Sequence, residues 1–131
     1  MCVIIKISNI SSNPLPNYAT DGASGMDLRA FSKNEITIYP MKKEIIRTGL
    51  FMEIPEGYEG QIRSRSGVAF HHGIIVLNNP GTIDSDYRGE IKILLFNLSH
   101  NPFTIKNGNR IAQIIFSKYE KIKWNHKIIT K

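Results

Sequence analysis

Apolar residues along this chain recur with a period of two. In CVIIKI, Val3, Ile5 and Ile7 fall on one face of an extended strand. In EIKILLF, Ile91, Ile93 and Leu95 fall on one face, with Leu94 and Phe96 on the other, as in a strand covered on both sides. Turn signals such as NPLPN, EGYEG, NNPG, YRG and NGN interrupt the apolar runs at short intervals. No stretch carries a sustained helical stripe with caps, and only SGVAFHHG reads as a short helical turn. The pattern predicts an all-β subunit of short, mostly antiparallel strands, arranged as a sandwich, jelly roll or barrel with at most one short helix.

The chain's 131 residues fit a single domain, 1–131. A chain of this size buries roughly 65 to 70% of its unfolded surface, so it needs no staple. Its one cysteine, Cys2, can form neither an internal disulfide nor a metal site. The amino-terminal residues show no targeting pattern, and runs such as IIVL and ILLF fall far short of the roughly 20 apolar residues of a membrane span. A cytoplasmic protein without a membrane partner is expected. Asn9 and Asn97 each begin an N-x-S glycosylation pattern, which is read as chance in an intracellular chain.

Charge adds a constraint on ligands. The net charge of +6 and pI near 9.6 point to an anionic partner: nucleic acid, a membrane surface or a phosphorylated small molecule. Near the carboxyl end Lys106, Arg110, Lys118, Lys121, Lys123, Lys127 and Lys131 face only Glu120.

Four segments carry candidate chemistry. Residues 11–25, SSNPLPNYATDGASG, form a long irregular stretch of the kind that is often functional. It leads into ASGMDLRA, residues 23–30, where Asp27 stands between Met26 and Leu28 and must meet solvent or a cation. In RSRSGVAF, residues 63–70, Arg65 can fork onto phosphate oxygens, and Gly67 after Ser66 lets backbone N–H groups approach an anion; a surface turn with an ion pair is the plain alternative. VLNNPGTIDSDYRGEIKI, residues 76–93, places Asp84, Asp86, Tyr87, Arg88 and Glu90 just after Asn79, Pro80 and Gly81. Pro followed by Gly predicts a type II turn and a hairpin whose backbone groups can read a flat base, with a carboxylate nearby as general base. In GNRIAQIIF, residues 108–116, Gln113 shares a face with Ile111 and Ile115, so its amide is either bonded in the core or held for a ligand.

In this order, ASGMDLRA, RSGVA, NNPGTIDSDYRGEI and GNRIAQIIF resemble motifs one to four of the homotrimeric dUTP diphosphatases. The resemblance runs from about residue 15 to residue 116, and its third motif is the most specific. It implies a jelly-roll-like subunit, a homotrimer with active sites at subunit interfaces, and hydrolysis of dUTP to dUMP and pyrophosphate. The aspartate matching Asp84 activates the water that attacks the α-phosphorus. The tyrosine matching Tyr87 packs beneath deoxyribose. The match to Asn78, with backbone groups along Gly81, Thr82 and Ile83, reads uracil. Those to Arg65, Ser66, Gly67 and Gln113 hold the phosphates, and the match to Asp27 positions Mg²⁺ through its waters.

The chain departs from the family in ending at WNHKIITK without the glycine-rich fifth motif; omission of a longer arm is the favoured reading. Ser64 stands where a proline is common and Val68 where a leucine is common, and neither is expected to touch the chemistry. A dCTP deaminase is disfavoured by IDSDY, a non-catalytic nucleotide sensor is separated only by kinetics, and no stable nucleic-acid partner is expected. His71 and His72 lack a third ligand at zinc spacing, and Trp124 and Phe116 read as core or interface residues.

Overall fold

The structure, a computed structural model, describes residues 2–131. Eleven strands follow one another: β1 (Lys6–Asn9), β2 (Gly25–Arg29), β3 (Ile36–Ile38), β4 (Lys43–Arg47), β5 (Leu50–Glu53), β6 (Tyr58–Arg63), β7 (Ile74–Val76), β8 (Gly81–Ile83), β9 (Lys92–Asn97), β10 (Phe103–Ile105) and β11 (Arg110–Lys118). A single helix, α1 (Ser66–His72), separates β6 from β7. Every ladder is antiparallel. The strands form a four-stranded sheet, β2-β11-β6-β8, a three-stranded sheet, β4-β9-β7, and two pairs, β1-β5 and β10-β3. The expected all-β, mostly antiparallel architecture with one short helix is what the chain adopts.

The period-two reading has a direct counterpart in burial. Ile91, Ile93 and Leu95 are sealed in the core with Leu28, Ile46, Ile62 and Ile114, while Leu94 and Phe96 on the other face of β9 are half-buried. Burial of about a dozen and a half aliphatic side chains in one cluster supplies the main driving force for folding. At the other end of the chain, Val3, Ile5 and Ile7 share an open apolar groove of about 550 Å³ with Met26 and Phe116. No helix among the described residues is long and apolar enough to cross a membrane.

The short helix forms where SGVAFHHG predicted it. Arg65 is still extended, and Gly73 ends the helix at φ 65°, donating its N–H to the Ala69 carbonyl at 3.0 Å. Glycine is required there twice over: for the left-handed backbone, and because a Cβ would stand 3.2 Å from Ser99. His71 and His72 lie in the last turn of this helix.

The turn before Asp84 differs from the sequence expectation. The Asn79–Pro80 peptide is cis and Gly81 does not have the positive φ that the third position of a type II turn requires. Nor do the flanking strands pair with each other: β7 bonds to β9 in one sheet and β8 to β6 in the other, so the segment links two sheets instead of closing a hairpin. The partners of β7 and β8 are distant in sequence, and a local turn signal carries no information about them.

Asn97, fully buried, shows how the core accommodates a polar side chain. Its Nδ2 donates to the Ile38 and Asn101 carbonyls, each at 2.8 Å, and its Oδ1 accepts from the Ser99 N–H at 2.9 Å and hydroxyl at 2.7 Å. A glycan could not reach this amide, whatever the sequence pattern. Asn97→Ala leaves several buried groups unpaired and is expected to lower unfolding free energy by about 2 to 4 kcal/mol, read by urea denaturation; a loss below about 0.5 kcal/mol would contradict this account.

Candidate active site

The four chemical segments sit on the four strands of one sheet. ASGMDLRA supplies β2, GNRIAQIIF supplies β11, RSRSGVAF begins at the end of β6, and β8 is GTI of the third segment. Cross-strand register aligns Asp27 with Gln113 and Gln113 with Arg63. These pairings bring three segments that are far apart in sequence to the same sheet end.

There Asp27 is a half-buried carboxylate between two guanidinium groups. Arg65 Nε donates to Asp27 Oδ1 at 3.0 Å, and Arg110 Nε lies 3.9 Å from Oδ2. Arg65 also donates through Nη1 to the Arg110 carbonyl at 3.3 Å, and Arg29 through Nη1 to the Gly108 carbonyl at 3.0 Å. An ion pair this open to solvent adds little stability, but it fixes the orientation of the Arg65 fork. Arg29, Arg65 and Arg110 line one shallow depression, in which three positive groups exceed the single Asp27 charge. Such a surface attracts a polyanion.

Gln113 is half-buried and held by one hydrogen bond at this sheet end. Its Nε2 donates to the Ser64 carbonyl at 3.0 Å, so the amide that looked costly on an apolar face has a partner. Its Oε1 lies 2.5 Å from where a Cβ on residue 25 would stand, which is why the strand opens with glycine. Ser66 and Gly67 are exposed in the first turn of α1. A Cβ on Gly67 would meet nothing within 4 Å, so no contact inside the chain accounts for glycine there.

Asp84 and Tyr87 are placed elsewhere. Ile83, the last residue of β8, aligns with Gly60, whereas Arg63 aligns with Gln113 at the opposite end of β6. Three residues of strand separate these levels, roughly 10 Å before the chain turns outward at either end. Asp84 is exposed and lines a polar cleft with Glu59, Thr82, Ser85, Asp86, Tyr119 and Lys121. Tyr87 donates its hydroxyl to the Glu90 carbonyl at 2.8 Å and its N–H to the Asp84 carbonyl at 3.1 Å. A Cβ on Gly89 would stand 2.5 Å from that hydroxyl, so Gly89 makes room for the ring. Asn78 precedes Gly81, which aligns with Ile62, so it lies toward the Arg63 end, its Nδ2 3.3 Å from the place of a Gly81 Cβ.

Within one chain, then, Asp27, Arg65 and Gln113 come together, while Asp84 and Tyr87 stand apart from them. Glu90, one of the candidate acids, serves the fold instead: it accepts from Arg47 Nε at 3.1 Å and from the Gly49 N–H at 3.0 Å. Trp124 is not a core residue of the single chain, being 88% exposed, whereas Phe116 packs against the core.

The donor set fits a hydrated magnesium ion and no caged metal. Among the described residues no three His, Cys, Asp or Glu side chains converge. Mg²⁺ keeps several waters and takes phosphate oxygens as ligands, so a single carboxylate beside a phosphate site is sufficient from the protein. Asp27, half-buried beside Arg65 and Arg110, is a carboxylate of that kind.

Fold and geometry together define an all-β protein with an arginine-lined depression at one sheet end and an acidic, tyrosine-bearing segment at the other. The chain belongs to the dUTPase family, whose sequence model matches residues 11–130. It is 57% identical over 120 residues to the deoxyuridine 5'-triphosphate nucleotidohydrolase of Finegoldia magna, covering 92% of this chain and 84% of that one. It is 52% identical over 123 residues to the protein of that name from Wolbachia pipientis of Culex pipiens, covering 94% and 80%. In fold it is similar to the dUTPase of phage phi11 of S. aureus, with a TM-score of 0.87 over 98% of this chain and 99% of that one, at 19% identity.

Proposed function

We propose that this chain, as a single domain, is a magnesium-assisted dUTP diphosphatase that releases dUMP and pyrophosphate. The observation that carries the reading is the gathering of the four family segments onto adjacent strands of one sheet. Asp84 accepts the proton of the attacking water, and attack in line on the α-phosphorus expels pyrophosphate. Arg65, Ser66, Gly67 and Gln113 hold the phosphate chain, with the Arg65 fork set by Asp27. Mg²⁺, carried to the phosphates by Asp27 through water, would supply charge neutralisation on the phosphoryl oxygens. Asn78 and the backbone of Gly81, Thr82 and Ile83 read uracil, and Tyr87 packs on the deoxyribose where a 2′-hydroxyl would collide.

The separation of Asp84 from Arg65 is what a site shared between copies requires. In a threefold ring the acidic segment of one chain completes the phosphate cradle of its neighbour, so the homotrimer is the working unit. The exposed apolar side chains support association: Ile122, Trp124, Ile128 and Ile129 follow β11 in the open, and the groove beside Val3 and Ile5 lies uncovered. The enzyme would work in the cytoplasm, keeping uracil out of DNA and supplying dUMP for thymidylate synthesis.

Hydrolysis in ¹⁸O-labelled water tests the point of attack. The label is expected in dUMP alone. Label in pyrophosphate would place the attack on the β-phosphorus and remove Asp84 from the role assigned here.

A further inference from the structure

Ser64 joins three parts of the site that its sequence position does not connect. Its N–H donates to Asn79 Oδ1 at 3.2 Å, its Oγ accepts from the Val76 N–H at 2.8 Å, and its carbonyl accepts from Gln113 Nε2 at 3.0 Å. Val76 is the last residue of β7, and its free edge is the side away from β9. Beyond it, residues 77–80 are exposed and cross from one sheet to the other. That crossing is tied to β9 by the Leu77 N–H on the Leu94 carbonyl and to Ser64, the residue after β6, through Asn79 Oδ1, while the Ser64 hydroxyl holds Val76 just before it.

We propose that Ser64 is a positioning residue that fixes the base-reading segment, Asn78 to Ile83, and the phosphate-holding segment at Arg65 within each chain, and so sets how each meets its counterpart from the neighbouring chain. The inference rests on the assignment of uracil recognition to residues 78–83 and deepens it. Three observations make it specific. The hydroxyl is the acceptor for an edge N–H that otherwise faces solvent or goes unpaired. Ser64 is only half-buried, and its three bonds reach residues 12, 15 and 49 positions away. Arg65 follows it directly, so a displacement of Ser64 moves the phosphate fork and the crossing together.

The test uses Ser64→Ala and Ser64→Thr in the full chain. Alanine keeps the N–H and the carbonyl and removes the one bond to Val76; threonine keeps all three. For Ser64→Ala, KM for dUTP is expected to rise about tenfold while kcat falls by less than about threefold, the size of one lost hydrogen bond acting on binding. The Val76 amide should exchange with solvent faster, as followed by NMR. Threonine should restore both quantities. A merely structural serine would lower the melting temperature without this KM effect or the rescue. Ser64→Ala with wild-type KM and wild-type Val76 exchange overturns the proposal. If the wild-type chain binds dUTP without hydrolysing it, the catalytic reading fails, and the dissociation constant decides Ser64 in place of KM. If the wild-type chain neither binds nor hydrolyses dUTP, both readings fall.

Discussion

Asp84→Asn is expected to reduce kcat for dUTP hydrolysis by roughly 10²- to 10⁴-fold while leaving nucleotide affinity within about threefold. The amide is nearly the same size as the carboxylate and can still orient a water, but it cannot accept that water's proton. Asp84 is exposed at the edge of a polar cleft and leaves β8 free of the core, so the change removes no packing. The fold should be untouched, and melting temperature is the control. Steady-state rates together with calorimetric binding of a non-hydrolysable dUTP analogue check the prediction. A variant with kcat within tenfold of wild type would take the general base away from Asp84.

Mixing two inactive variants should restore activity. Arg65→Ala removes the phosphate fork and the partner of Asp27, and Asp84→Asn removes the base; each alone is expected to be nearly inert. If every site takes its fork from one chain and its base from another, random co-assembly of equal amounts yields about one intact site in four. Refolding the mixture should therefore return about a quarter of wild-type activity, whereas mixing without refolding returns less. Sites built within single chains would give no recovery. The expectation follows from register: Ile83 lies level with Gly60, while Asp27 and Gln113 lie level with Arg63 at the other end of β6.

Much of this site was legible because it depends on local sequence. Alternation of apolar residues sets strands without knowledge of their partners, and Gly73 ends α1 through its own backbone. Asp27 and Gln113 could be named as candidates because a charged or amide group among apolar neighbours needs a partner, and Arg65 because its fork precedes Ser66 and Gly67. The ion pair of Asp27 with Arg65 spans 38 positions, and no local signal contains it.

Other features were hidden for the same reason. The crossing at 77–80 read as a hairpin turn, because Pro-Gly is a local signal and sheet membership is not. Glu90 looked like a candidate acid until its partners, Arg47 and Gly49, were brought to it by folding. In sequence Asn97 shows only a glycosylation pattern, whereas in the fold its amide ties the β3, β9 and 99–101 segments together. In sequence Ser64 is only a departure from the family pattern, and its bonds to Val76 and Asn79 depend wholly on the tertiary fold. The position of Trp124, open in the single chain, is a property of assembly and is not fixed by one chain's sequence or fold.

The central claim is tested most directly by pyrophosphate release from dUTP, dTTP, dCTP and UTP, each with magnesium and each with the full chain. The account predicts rapid release from dUTP and at least about a hundredfold slower release from the other three, the discrimination expected of a pocket that pairs with the base edge and excludes a methyl and a 2′-hydroxyl. Equal release from all four, or none from dUTP, would contradict it.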